Sequence, residues 1–372
     1  MSAYRYLPWS VRSLCRSVII AVAGLLLAAS QSFAADQAAW TAMVQAAKKE
    51  GSVRVVLPAH IPGLGEAFSK AFQEEFGIRL DFTAEVIGPP QIRIERESAA
   101  GKNSIDVVLS GAAELINLYP KGLLAPVRPK LVLPDVIDPS KWREGGVKWV
   151  DKAQQYMPMV SEWVHIDLMV NTRVIDPKKI TSWKDLLKPE YKGKIVAQEV
   201  TVGAGGATAR ALLEDFGPEY LTALYKGQEM VLTRNAREVV RMMAQGSQPI
   251  ALAVIPAFAE AFRKEGFPLE RVFPTDGVLS VSGGSAVPKI VANAPHPNAA
   301  AVFVNWFMSK RGQEIYTSIS LEPSRRTDVV VPGIPPYIIP KPKIKYRNQY
   351  EEDYYVNIAP KMRKQIEQAL GR

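Results

Sequence analysis

The chain has 372 residues, 47% of them hydrophobic and 22% charged, with a formal charge of +9, three histidines and one cysteine. A single thiol excludes a disulfide framework and any thiolate-rich metal site. No run of five or six like charges and no nucleic-acid motif is present, so nucleic acid is not an expected partner; the basic balance suits an anionic ligand or an ordinary solvated surface.

The first 34 residues read as an export signal. Arg5, Arg12 and Arg16 form a basic region with no acid, Val18–Ala29 is an apolar run of 12, and Gln31-Ser32-Phe33-Ala34 places small residues before a cleavage point at Ala34. A transmembrane helix needs about 20 apolar residues, so an uncleaved anchor is the weaker reading. Cys15 lies inside this segment and ahead of its apolar run. Without Arg5, Arg12 and Arg16, the 43 basic and 37 acidic residues that remain leave +6. The 338 residues after Ala34 are ample for an ordinary apolar core and suggest two domains.

Trp40, Met43, Val44 and Ala47 have helical spacing before Gly51, and Val53–Leu57 follows as a strand ending in the loop Pro58–Gly63. A helix with Leu64, Phe68, Phe72 and Phe76 on one face stops at Gly77. A strand at Ile78–Phe82, a helix at Ile92–Ala100, a buried strand at Ile105–Leu109 and a helix at Ala112–Tyr119 complete βαβαβα, the order of a covered parallel sheet. Pro126–Gly146 has little periodicity, and extended segments follow at Tyr156–Val160 and His165–Asn171. A second α/β run has strands at Lys194–Gln198, Met230–Thr233 and Pro249–Val254. Its helices are expected at Ala207–Phe216, Glu219–Tyr225, Ala236–Gln245 and Ala257–Lys264. Long helices return from Pro297, and beyond Val330 five prolines in thirteen residues precede a short basic helix from about Pro360.

Several stretches together resemble the family 1 extracellular solute-binding proteins, in the branch with ferric-iron and thiamine receptors. They are the Trp-helix-Lys-Lys-Glu-Gly opening, Ser104–Ser110 with Lys121–Pro126, Val170-Asn171-Thr172, Ser182–Ile195, and His296–Ala300 through Ser309–Glu314. The resemblance covers roughly 40–328 and implies an α/β, type II periplasmic-binding-protein fold. Two α/β lobes are joined by crossing hinge strands, with a ligand cleft between them. The expected organisation is a signal at 1–34, first-lobe residues 35–155, second lobe 156–282 including the crossings, a return at 283–330, and a Pro-rich extension at 331–372. The implied function is the periplasmic binding component of an ABC uptake transporter. Its partners would be a small-molecule ligand and an inner-membrane permease, and the receptor is expected to be a monomer.

In open parallel sheets ligands bind beyond the carboxyl ends of strands. Four strand mouths qualify: Pro58–Gly63 and Ser110-Gly111 in the first lobe, Thr201–Thr208 and Thr233-Arg234-Asn235 in the second. Glycines in Thr201–Thr208 would let a ligand approach free backbone N–H groups at a helix start, or would simply make the turn with Thr208 as cap. Asn235 has the form of an N-cap, and Arg234 beside it suits a carboxylate or phosphonate. Ser110 is a donor or another cap. The expected binding set is His60, Ser110, Gly111, Thr201, Gly205, Gly206, Ala207, Thr208, Arg234 and Asn235, with no metal ligand and no cofactor. His165 is placed near the hinge, His296 at a helix start, and Ser282–Ser285 at the returning crossover.

Ferric receptors of this branch carry adjacent tyrosines after the strand that here is Ile250–Val254. This chain reads Ile255-Pro256-Ala257-Phe258-Ala259 there, and Tyr354-Tyr355 lies in the C-terminal extension instead. A small organic anion is therefore the expected cargo. The alternatives are a ferric-iron-binding protein and a periplasmic ligand sensor for a membrane receptor. No His-Glu-x-x-His, Gly-x-Ser-x-Gly or Cys/His pair supports an enzyme.

Overall fold

The computed structural model describes residues 35–86 and 88–372; the expected export signal lies outside them. Two five-stranded sheets form the centres of two lobes. In the first, Arg79–Glu85, Ser52–Pro58 and Val107–Ser110 run parallel, and Val287–Val291 is inserted antiparallel between Val107–Ser110 and Leu124–Ala125. In the second, Val231–Thr233, Ile195–Gln198 and Ile250–Val254 run parallel. There Ile166–Asn171 pairs antiparallel between Ile250–Val254 and Leu269–Arg271. Each lobe thus completes its sheet with an antiparallel strand delivered by a chain that has just crossed from the other.

The first lobe's core forms where two aromatic helices meet. Leu64–Phe76 places Phe68, Phe72 and Phe76 one turn apart on one face. The helix is closed by Gly77 at φ 68, a conformation that suits a residue without Cβ. Helix Pro297–Met308 answers with Phe303, Trp306 and Phe307, and the ring of Phe68 meets all three edge-on at 5.3–6.1 Å. The second lobe's core centres on Leu168, Val170, Ile195, Leu212 and Leu252.

The lobes are joined by two crossings. Trp163–Val164 pairs antiparallel with Ser280–Ser282, and Ser161 bridges Ser324. Gly284 (φ 85) sits so close to Ser161 that a Cβ would lie 1.8 Å from its Oγ, so the crossover admits only glycine. Glu322 is buried beside it, accepting from Ser161 Oγ at 3.2 Å, from the Ser285 N–H at 2.9 Å and from the Tyr316 hydroxyl.

Two local expectations are corrected. The helix expected at Ala112–Tyr119 is a single turn, Glu114–Asn117, followed by a 3-10 turn at Tyr119–Lys121 that accommodates Pro120. The helix expected from Ala207 begins at Gly203 and runs to Thr222, kinked at Gly217-Pro218. Among the described residues no helix is long and apolar enough to cross a membrane.

Candidate functional site

The carboxyl ends of the parallel strands in each lobe supply the groups expected to meet a ligand. In the first lobe His60 follows strand Ser52–Pro58. Its residue is solvent-exposed, yet protein surrounds the imidazole closely enough to hold its pKa below the ordinary 6.5; the charge of Glu322 opposes that shift. His60 is thus the one first-lobe member of the expected set with an accessible side chain.

Ser110 is not available to a ligand. It is buried, donates to Glu114 Oε1 at 2.8 Å and accepts from Lys289 Nζ at 2.7 Å. Lys289 has no solvent exposure, and its ammonium also donates to the carbonyls of Ser110 (2.9 Å) and Gly111 (2.6 Å) and meets Glu114 Oε2 at 3.1 Å. Burial lowers the Lys289 pKa and the Glu114 charge counters it. Gln91 completes the cluster with 2.7 Å to Glu114 Oε1. These charged groups satisfy one another, as groups buried this deeply must, so the Ser110 hydroxyl is committed to the wall, while half-buried Gly111 gives it only its carbonyl. The sequence signal for the cluster was a lone lysine inside the apolar strand Val287–Val291, and a glutamate four residues after Ser110.

In the second lobe the early helix start changes the reading of the glycine loop. A Cβ on Gly205 would lie 2.3 Å from the carbonyl oxygen of Gln198 and 2.4 Å from that of Glu199; one on Gly206 would lie 2.9 Å from that of Val200. Gly205 and Gly206 therefore let helix Gly203–Thr222 rest directly on the end of its strand. Ala207 and Thr208 are buried in the second turn, so Thr208 is neither the cap nor an exposed donor. Thr201 remains exposed ahead of the helix. The Gln198 side chain, which sequence reasoning missed, stitches two mouths together: its Nε2 donates to the Arg234 carbonyl at 3.3 Å and its Oε1 accepts from the Gly205 N–H at 3.4 Å.

Asn235 caps helix Ala236–Gln245, its Oδ1 accepting from the N–H groups of Arg237 (3.0 Å) and Glu238 (3.4 Å). That commits its oxygen and leaves Arg234 exposed at the lobe-two rim. His165 stacks on Trp163 in the hinge with ring centroids 4.9 Å apart. His296 contacts Asp106 through Nδ1 at 2.9 Å and has a structural role.

Residues of the C-terminal extension, absent from the expected set, reach the interlobe region. Gln349 Nε2 donates to the Ala207 carbonyl at 3.1 Å, and its Oε1 accepts from Arg210 at the same distance. The Tyr350 hydroxyl accepts from Ser282 Oγ at 3.1 Å, and burial raises its pKa. One recess beside the Thr201–Thr208 mouth is lined by Trp183, Thr208 and Gly277, and a second, apart from the mouths, by Arg54, Asp81 and Arg93. Among the described residues no group of three or more His, Cys, Asp or Glu side chains could hold a metal ion.

The comparisons agree with this architecture. The model of the bacterial extracellular solute-binding protein family matches residues 67–330. An uncharacterized Haemophilus influenzae protein is 25% identical over 268 residues, 68% of this chain and 71% of that one. The spermidine/putrescine-binding periplasmic protein of Salmonella typhimurium is 29% identical over 160 residues, 39% of this chain and 43% of its own. Among solved structures, iron-bound HitA from Pseudomonas aeruginosa has TM-score 0.65 at 20% identity, covering 85% of this chain and 99% of that one. Trichodesmium FutA in complex with iron and citrate has TM-score 0.64 at 16% identity over 86% and 99%. AfuA from Actinobacillus pleuropneumoniae, with exogenous fructose-6-phosphate bound, has TM-score 0.63 at 20% identity over 86% and 98%. At such identities the structures establish the shared two-lobed fold. With the family matched over most of the chain, this protein belongs to the bacterial extracellular solute-binding proteins: a non-catalytic periplasmic receptor that serves an ABC transporter, with a small-molecule ligand and an inner-membrane permease as its partners.

Proposed function

We propose that the cargo is ferric iron, carried as a complex with a small oxyanion and gripped between the two lobes for delivery to the permease. The observation that carries this reading is the donor inventory at the strand mouths. Glu114 and Glu322 are already committed to buried partners, and the described residues offer no cluster for a bare ion. The accessible groups are His60, Thr201 and Arg234, which suit the oxygens of an anion better than a naked metal. Iron bound to its own oxygen ligands meets both facts, and two fold neighbours hold iron with citrate or iron. This moves the cargo from the organic anion expected from the sequence toward its ferric alternative. A metal-free organic anion is the second reading, favoured by the same inventory and by the sugar phosphate in AfuA.

The test is a thermal-shift and calorimetric comparison of ferric citrate, ferric nitrilotriacetate, citrate alone and fructose-6-phosphate on protein stripped of ligand. Ferric citrate is expected to bind more tightly than citrate alone. Equal binding of citrate with and without iron would favour the metal-free anion. Tight uptake of iron from nitrilotriacetate with a tyrosinate-to-iron absorption band would replace the chelate by a directly ligated ion. No response to any of them would remove both readings.

A further inference from the structure

The segment after residue 330 is outside the matched family region, yet it is bound to both lobes. Its path alternates. Arg347–Asn348 adds a parallel strand to the crossing strand Ser280–Ser282, while the Arg347 guanidinium pairs with Glu214 and Asp215 of the second lobe. Gln349 engages Ala207 and Arg210, also second-lobe groups. The rings of Tyr350 and Tyr355 then pack with the first lobe's apolar cluster around Leu115, Met157 and Val287. Glu352 accepts from the Lys152 N–H at 2.6 Å and donates its own N–H to the Val150 carbonyl, both in the first lobe. Tyr354 turns back to the second lobe, its hydroxyl 3.1 Å from Glu214 Oε1. From there helix Ala359–Ala369 lays Met362 and Ile366 on the second lobe's core.

The spacing of these anchors decides what the segment can do. Glu352 and Tyr354 are held by opposite lobes and are two residues apart, a reach of at most about 7 Å when fully extended. No slack exists to absorb a rigid-body separation of the lobes at this point. We propose that the C-terminal extension is an interlobe strap: residues 347–355 tie the lobes together, so that opening requires Tyr350, Glu352 and Tyr355 to leave the first lobe. Gly283 belongs to the device, because a Cβ there would lie 2.7 Å from the Tyr350 ring. The strap rests on the opening and closing of lobes assumed in the function proposed above, but not on the identity of the cargo.

The test uses the mature protein without ligand. A chain starting at Ala35 has no cysteine, so spin labels can be placed at exposed Lys102→Cys in the first lobe and Lys264→Cys in the second. Pulsed electron-spin distance measurement should give a single narrow interlobe distribution for the parent. Tyr350→Ala with Tyr355→Ala should shift it to longer distances and broaden it. A distribution that superimposes on the parent's overturns the strap. If that double variant loses its cooperative melt, Gln349→Ala with Tyr350→Phe removes only polar anchors, and the same reading applies to it: a shift supports the strap and an unchanged distribution rejects it. Adding ferric citrate afterwards separates the two proposals. A strap shift with no response to any cargo would reject the cargo reading alone, and a response to cargo with no strap shift would reject the strap alone.

Discussion

Lys289 shows how a buried charge is tolerated. Its ammonium has four oxygens within 3.1 Å, and Glu114, its counter-charge, is also held by Gln91 and Ser110. Removing one partner strands the other, which costs about 3–5 kcal/mol, whereas replacing both with apolar residues is often near neutral. Glu114→Gln is therefore expected to lower the urea midpoint strongly, and Glu114→Leu with Lys289→Met to recover most of the loss. His60 makes a pH statement. The protein packed around this exposed residue holds its pKa below 6.5, so the folded protein takes up its proton later than the unfolded chain as pH falls. The stability this histidine contributes is complete above 6.5 and declines below it. Melting temperature should fall between pH 7 and 5, and His60→Asn should flatten that part of the profile. A slope unchanged by the substitution would assign the acid sensitivity elsewhere. None of the Lys289 network was legible as a unit, because Lys289 lies 179 residues from Ser110 and only the returning strand brings them together.

At the scale of elements, legibility followed periodicity. The Phe68-Phe72-Phe76 face and the apolar run Val107–Leu109 announce a helix and a strand through local sequence, and both formed close to where expected. Helix Gly203–Thr222 starts four residues before the local sequence predicts, because glycine is a poor helix former. Gly205 and Gly206 are in the helix so that its first turn can touch the strand end, a requirement that depends on tertiary contact and leaves no local periodicity. Gly205→Ala should thus destabilise the second lobe by about 1–3 kcal/mol through overpacking against backbone oxygens. Hydrogen exchange would show the loss in strands Ile195–Gln198 and Ile250–Val254. Protection there equal to the parent's would mean the helix can shift without cost. The tail was legible as a Pro-rich extension with a terminal helix, but not as part of the interlobe region, since its partners are scattered over residues 150, 207, 214 and 282.

At the scale of the whole molecule, two lobes with matching sheet orders are joined by paired crossing strands, and binding is expected to be read out as closure. A ligand that touches both lobes favours the closed arrangement by its differential affinity for it. With the strap loosened by Tyr350→Ala and Tyr355→Ala, solution scattering should show a smaller radius of gyration with the cargo than without. Arg234→Ala should weaken an anionic cargo by about 1.5–3 kcal/mol if the guanidinium pairs with it. Full compaction and full affinity in that variant would place the anion elsewhere in the cleft.

The strand exchanged between lobes also sets the order in which the chain can mature. Val287–Val291 is the wedge between Val107–Ser110 and Leu124–Ala125, so the front third of the polypeptide has no complete sheet to join until residue 291 is present. For a protein that crosses a membrane with its N-terminus leading, that delay is an asset. The part still waiting to cross cannot close this sheet until residue 291 has been made and so stays threadable, and the long-range pairing makes the final collapse slow.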